Sequence, residues 1–368
     1  MAAMRIHFIS LAGLLMVSVG AGADVGDLVA PEGFAISVLS DDVENARQMA
    51  LSDAGTLFVG TRRAGNVYAI ANALGSSPGK RVTLATGLTM PSGVAVSGSD
   101  LYVGAVDRIL RFTDIENQLS NNASYDVVTD QLPDKTMHGW KHLGFAPDGS
   151  LYFAIGAPCN ICLSEDPRFA SILRMDPQSG ESTIYASGIR NTVGFAWHPV
   201  TQALWFTDNG RDMLGDDVPF EEVNVADRPG LHFGYPFVHG GDLADPQFGT
   251  DADPASYVLP TLKIQAHSAA LGVGFYTGSQ FPEKYTNALF IAEHGSWNRS
   301  SKVGYRVSVV TFDGSGSNHV PFVTGWLNGQ SSWGRPTDVL MAPDGSLLIS
   351  DDQAGAIYRV RYSSPPDS

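Results

Sequence analysis

Cysteine is scarce in this 368-residue chain, with Cys159 and Cys162 in APCNICLS the only two. A thiolate zinc site needs more ligands than one CxxC provides, and covalent haem needs a histidine directly after the second cysteine, where Leu163 stands. In an exported chain two close cysteines most often pair, so a local disulfide pinning this loop is favoured over free or metal-bound thiols. Cations are also few: 23 Lys and Arg stand against 38 Asp and Glu, a net charge of -15. Such a surface lacks the basic face that phosphate binding requires, which argues against nucleic acid as a partner. The surplus of oxygen ligands suits calcium, although acidity also serves solubility alone. Helical periodicity is nearly absent, and beyond the first residues no apolar run is long enough to span a bilayer.

What is present begins with a leader. MAAMRIHFISLAGLLMVSVGAGAD places Arg5 ahead of an apolar run from Phe8 to Val19, followed by Ala21, Gly22 and Ala23 before Asp24. That is the layout of a signal peptide over residues 1–23, and a membrane anchor would need a longer run. The mature chain, 24–368, is expected to be periplasmic or secreted and to form one domain without a membrane span.

The body holds 40 Gly and 21 Pro among many short β-rich runs. One pattern recurs six times: a turn, often Pro-Asp-Gly, then an apolar strand, then a Gly-containing or polar turn. The central leucines are Leu57, Leu101, Leu151, Leu204, Leu289 and Leu347, spaced by 44, 50, 53, 85 and 58 residues. Each spacing suits one four-stranded blade, and a closed ring of blades buries both faces of every sheet. The chain therefore reads as an all-β, six-bladed β-propeller. A two-sheet sandwich is the alternative, but it predicts no such repeat. The long interval between Leu204 and Leu289 implies an insertion on one face.

The turns after these strands gather at one end of the ring, which places Arg62, Arg63, Asn209, Gly210, Arg211, His294, Gly295 and Asp351 around one mouth. Ordinary solvated turns account for many such residues. The run from Ser187 to Pro236 is densest in capable side chains, with Arg190 read as opening a strand and Glu222 as either a turn acid or a calcium ligand. EHGSWNR, from Glu293 to Arg299, sets an acid, an imidazole, an indole, an amide (Asn298) and a guanidinium in seven residues. His138 and His142 in KTMHGWKHLGF are, on residue type alone, more often structural than catalytic.

GIRNTVGFAWHP, LWFTDNGRDMLGDDVPFEEVN and HFGYP, followed by ALFIAEHGSWNRS and WGRPTDVLMAPDGSLLISDD, closely resemble the soluble pyrroloquinoline quinone (PQQ)-dependent sugar dehydrogenases, the aldose and sorbosone dehydrogenases. The resemblance implies His138 as the general base that takes the sugar hydroxyl proton, with Arg190 at the quinone oxygen. Asn191 and Arg335 would also hold the cofactor, a tricarboxylate that guanidinium groups suit. It implies main-chain carbonyls of Gly210 and Arg211 on the cofactor's calcium, and Glu222 with the Phe233 carbonyl on a second calcium. Relatives often carry Asp before the histidine, where Met137 stands, and a further arginine where Thr337 stands. The family's fifth-blade lysine has Arg299 and Lys302 as its nearest counterparts, with His294 and Asn298 beside them, and Arg62 or Arg63 could compensate. A separate electron acceptor follows from the absence of a haem motif. A calcium-dependent lactonase and a non-catalytic binding propeller are the competing classes.

Overall fold

A computed structural model describes residues 25–314 and 316–363. The signal-peptide expectation on 1–23 lies outside the described residues. Six four-stranded antiparallel sheets follow one another around a ring. Blade 1 is Ala46–Leu51, Leu57–Thr61, Val67–Ile70 and Arg81–Ala85, and blade 2 is Gly93–Ser97, Asp100–Gly104, Ile109–Phe112 and Asp126–Thr129. Blade 3 comprises Leu143–Phe145, Leu151–Ile155, Ser171–Met175 and Ser182–Ser187, and blade 4 Phe195–Trp197, Leu204–Asp208, Glu221–Ala226 and Leu262–Ile264. Blade 5 runs through Ala270–Phe275, Leu289–Glu293, Arg306–Phe312 and Ser317–Val323. Blade 6 takes Pro336–Met341, Leu347–Asp351 and Ala356–Tyr362, and its outer strand is Phe34–Ser40 from the other end of the chain. That last pairing ties the two ends of the chain into one sheet and removes an open seam.

All six repeat leucines lie in the second strand of their blade and are buried. They feed six apolar clusters, each formed between two neighbouring blades, so the core is a ring of seams rather than one centre. The seam between blades 3 and 4, for example, joins Tyr152 and Ala154 to Phe195 and Phe206. First strands of neighbouring blades pack on one another between blades 1 and 2, 2 and 3, 4 and 5, 5 and 6, and 6 and 1, and so surround the axis. The axis itself is filled by polar side chains: Gln48, Lys141, His142, Thr337 and Asp338 close it below the mouth.

The interval between Leu204 and Leu289 differs from the expectation of a plain insertion. Its EEVNVA segment is the third strand of blade 4, and the fourth strand arrives only at Leu262. Between them Leu231–His232 adds a parallel edge to blade 3, and Val238–His239 pairs with Leu243–Ala244 in a small hairpin. Arg190 also departs from expectation. It sits in the loop before Phe195–Trp197 rather than opening a strand, because Asp208 captures the main-chain N–H groups of Arg190 and Asn191 and bends the segment across the mouth.

Candidate active site

Antiparallel geometry fixes which loops meet. Second strands end at the same rim where first strands begin, so the turns after Leu57–Thr61, Leu204–Asp208 and Leu289–Glu293 face the loops that enter blades 3, 4 and 6. A cavity of about 380 Å³ opens at this rim on the axis. It gathers Arg62, Arg63, His138, Arg190, Asn191, Asn209, Gly210, His294, Gly295, Asn298 and Arg335 from five blades.

Two acids at equivalent places shape the loops. Asp208, ending the second strand of blade 4, accepts the Arg190 N–H at 2.8 Å and the Asn191 N–H at 2.6 Å. Asp351, ending the second strand of blade 6, accepts the Arg335 N–H at 2.8 Å. Burial pushes both carboxyls above the usual carboxylate range. Asp351, expected at the mouth, is instead the buried anchor beneath Arg335.

His138 and Arg190 are held by one residue. The Ala157 N–H donates to the Arg190 carbonyl at 2.8 Å, and the Ala157 carbonyl lies 2.8 Å from His138 Nδ1. A carbonyl only accepts, so Nδ1 carries the proton and Nε2 is left with its lone pair. Burial, with Arg190 and Arg62 nearby, pushes the imidazole down to about 3, so it is neutral at physiological pH. The backbone at His138 is left-handed, with φ 50°, a conformation that non-glycine residues adopt rarely. Gly156 makes room for it: a Cβ there would lie 2.5 Å from the His138 Cβ.

Cations dominate the walls. Arg47, Arg62, Arg63, Arg190 and Arg335 all line the cavity. Asp352 takes Arg47 at 2.9 Å and His294 Nε2 at 2.8 Å; burial opposes its ionisation, but these two partners hold it well below the usual range. Asp212 takes Arg190 at 3.0 Å. Glu221 is pushed up to about 8 by burial and is protonated at neutral pH. Five guanidinium groups thus face one cavity, with only Arg47 and Arg190 of the five paired to a carboxylate among the described residues. Arg62 and Arg63 make no ion pair among the described residues. Arg62 lies 4.0 Å over the Trp140 ring, and its pKa falls to about 10 through burial and the neighbouring Arg47, Arg63 and Arg335.

Several buried polar atoms on these walls have no partner: Arg62 Nε, Trp140 Nε1, Asn191 Oδ1, and both Oδ1 and Nδ2 of Asn298. Each unsatisfied buried group costs about 1–3 kcal/mol. Their convergence on one cationic cavity is what a polar, anionic ligand would relieve. Oxygen acceptors are also unclaimed there, since among the described residues no hydrogen bond ends on the carbonyls of Gly210 or Arg211. Above the cavity Met137, Trp297 and Met213 are exposed and line an outer cavity of about 530 Å³ that shares Arg62, His138 and Arg190.

Other expected residues stand elsewhere. The Arg211 side chain turns away to Asp245 at 2.5 Å, and Glu222 is buried with its carboxylate on the Asn224 amide and the Gly240 N–H. Phe233 packs edge-on against Phe206 in the blade 3–4 seam. Arg299 ties the insertion through the Asp216 carbonyl and the Asp217 carboxylate, and Lys302 lies 5.5 Å from the Tyr305 ring. Cys159 and Cys162 form a disulfide beside the mouth. His142 is deep in the axis on Gln48, and Thr337 bonds the Ala46 carbonyl. Sequence reasoning missed Arg47, Trp140, Asn160, Asp212 and Glu221, whereas Trp297 is the indole already singled out in EHGSWNR. The signal for Arg47 was a lone cation inside the strand ARQMAL, and for Trp140 its place two residues after His138.

The glucose/sorbosone dehydrogenase family model matches residues 99–359. An uncharacterized protein of Borreliella burgdorferi is 32% identical over 362 residues, covering 94% of each chain. Among solved structures, a carbohydrate-active enzyme of family AA12 from Trichoderma reesei superposes with a TM-score of 0.77 at 20% identity, covering 91% of this chain and 98% of that one. The holo form of the pyranose dehydrogenase PQQ domain from Coprinopsis cinerea gives 0.73 at 19% identity, covering 91% and 97%. At those identities the two structures share the fold.

Proposed function

Since the chain belongs to the glucose/sorbosone dehydrogenase family, we propose that it is an exported sugar dehydrogenase that holds PQQ and calcium in the axial cavity and oxidises an aldose or sorbosone-like sugar. The observation that carries this reading is the cavity itself: five arginines and a set of orphaned polar atoms around a space of about 380 Å³. A planar tricarboxylate matches that charge and those donors.

The residues divide the work as follows. Arg62, Arg63 and Arg335 offer charge to carboxylates, and Asn191 and Asn298 offer the unpaired amide atoms. Arg190 uses Nε once, Nη1 once and Nη2 twice on protein oxygens, which leaves one Nη1 N–H of its five donors for a ligand oxygen. The carbonyls of Gly210 and Arg211 would hold calcium through oxygen alone, the donor set that ion prefers. When bound, the calcium-polarised quinone supplies a hydride acceptor. The sugar would enter past Met137, Met213 and Trp297 and present its hydroxyl to His138 Nε2, which takes the proton. An anionic neighbour raises the affinity of that imidazole for a proton, so an anionic ligand in the cavity would strengthen His138 as a base. Electrons then leave to a separate acceptor.

The test is to add PQQ and calcium to purified apoprotein and supply aldoses with an artificial electron acceptor. Quinone-dependent and calcium-dependent dye reduction is expected. Hydrolysis of sugar lactones without quinone, or tight quinone binding without turnover of any sugar, would replace this reading with a lactonase or a binding propeller.

A further inference from the structure

The disulfide loop lies outside the lining of the axial cavity, reaching only the outer one through Asn160, and it touches the arginine whose orientation the proposed chemistry requires. Asn160 sits between the two cysteines. Its carbonyl accepts Arg190 Nε–H at 2.9 Å, and its Oδ1 accepts Arg190 Nη2–H at 2.8 Å. The same amide brackets the Asp212 peptide, accepting its N–H at 2.8 Å and donating Nδ2–H to its carbonyl at 3.1 Å. Asp212 then closes the figure with its carboxylate on Arg190 Nη2 at 3.0 Å. Arg190 is thus gripped along one edge by a single residue and by the segment that residue fixes.

The loop carrying Asn160 is itself fixed twice. The disulfide closes it across three residues of separation. Tyr235, from the HFGYP segment after blade 3's added edge strand, accepts the Cys162 N–H on its hydroxyl at 3.0 Å and lies 3.5 Å from Cys159 Sγ. A two-residue span between paired cysteines has little freedom to turn Asn160 away, and an arginine side chain left loose would lose rotamer entropy on being ordered by a ligand.

We propose that Asn160 is the positioning residue for the Arg190 guanidinium, and that the Cys159–Cys162 disulfide with Tyr235 exists to hold it in that role. The inference rests on the reading of Arg190 as a cofactor-holding group, but the clamp is a property of the apoprotein. Asn160 shares the outer cavity by which the sugar would enter, but the role assigned to it is exerted through Arg190 rather than on the reacting atoms.

The experiment uses the full apoprotein with its arginine side chains labelled with ¹⁵N, the Arg190 Nε–H signal being identified by its loss in Arg190→Lys. Hydrogen exchange at that signal is expected to be slow in the native chain. It should quicken about tenfold or more in Asn160→Ala and in the Cys159→Ser/Cys162→Ser double variant, as about 1.4 kcal/mol of lost restraint implies. Unfolding midpoints measured alongside separate this local release from global loosening. The triple variant should exchange no faster than Asn160→Ala, because the disulfide acts through Asn160. Unchanged exchange in Asn160→Ala, or fully additive effects in the triple variant, overturns the proposal. PQQ titration of the same proteins discriminates the two readings. Affinity weakened in parallel with exchange supports both, whereas a protected Arg190 in a native chain that binds no quinone leaves the clamp standing and removes the ligand.

Discussion

Replacing Arg62 by Met should weaken ligand binding without weakening the fold, an unusual outcome for a half-buried residue. The guanidinium pKa falls from 12.5 to about 10. At about 1.4 kcal/mol per unit this amounts to roughly 3 kcal/mol against the charge, which partial exposure and solvent screening reduce to about 1–2 kcal/mol. Against it stands the cation–π contact with Trp140 at 4.0 Å, worth about 1 kcal/mol and partly replaced by a methionine sulfur on the same ring. Arg62→Met apoprotein should therefore be as stable as the native chain in urea, or up to about 1 kcal/mol more stable. Binding of PQQ should meanwhile weaken about 10- to 100-fold, the value of one charged hydrogen bond. Equilibrium denaturation of the apoprotein and fluorescence titration with the quinone read the two quantities independently. A variant that loses a kilocalorie or more of stability and keeps its affinity would refute the reasoning, since Arg62 would then be structural.

His138→Ala should abolish sugar oxidation while quinone affinity changes less than about threefold, because Nε2 is assigned to the sugar proton and Nδ1 to Ala157; retained turnover would remove it as the base. His142 is fully buried on Gln48 and its pKa is pushed down to about 3 by burial. The unfolded chain, near 6.5, takes up the proton first, so this residue's contribution is complete above pH 6.5 and is lost as pH falls towards 3. Relative to His142→Gln, the native chain should lose up to about 1.4 kcal/mol per pH unit across that window, measured by urea unfolding at stepped pH. Phe34→Ala should lower stability by about 3 kcal/mol, because its ring meets Phe281 at 4.7 Å and Phe322 at 5.0 Å where the outer strand closes blade 6.

The ring was legible because its evidence is periodic. One leucine per blade, at the same place in each second strand, survives changes of loop length, and only the interval from Leu204 to Leu289 misled, since EEVNVA carries the blade's own strand inside an apparently polar insertion. Much of the mouth was legible for a related reason: turns after second strands end at one rim, which placed Arg62, Arg63, Asn209, Gly210 and His294 together, while His138, Arg190 and Arg335, on loops before first strands, were reached only through the family resemblance. Chemistry that depends on side-chain direction was not legible. Arg211 shares the acidic turn with Gly210, yet its side chain pairs with Asp245 in a hairpin that no periodicity announced. Asn160 reads as a spacer between cysteines, and only the folded loop brings its amide to Arg190. Arg47 hides in an apolar strand, because its charge is met by Asp352 from the far end of the chain.

The central claim is that the cationic cavity on the axis is a quinone site in an oxidoreductase. The most direct measurement is the absorbance spectrum of the full apoprotein titrated with PQQ in the presence of calcium, recorded before and after addition of an aldose. The account predicts a saturable spectral change at one quinone per chain, lost in Arg190→Ala, followed by conversion to the reduced spectrum when sugar is added to the native chain but not to His138→Ala. A titration that never saturates, or a bound quinone whose spectrum no aldose or sorbosone-like sugar alters, would contradict it.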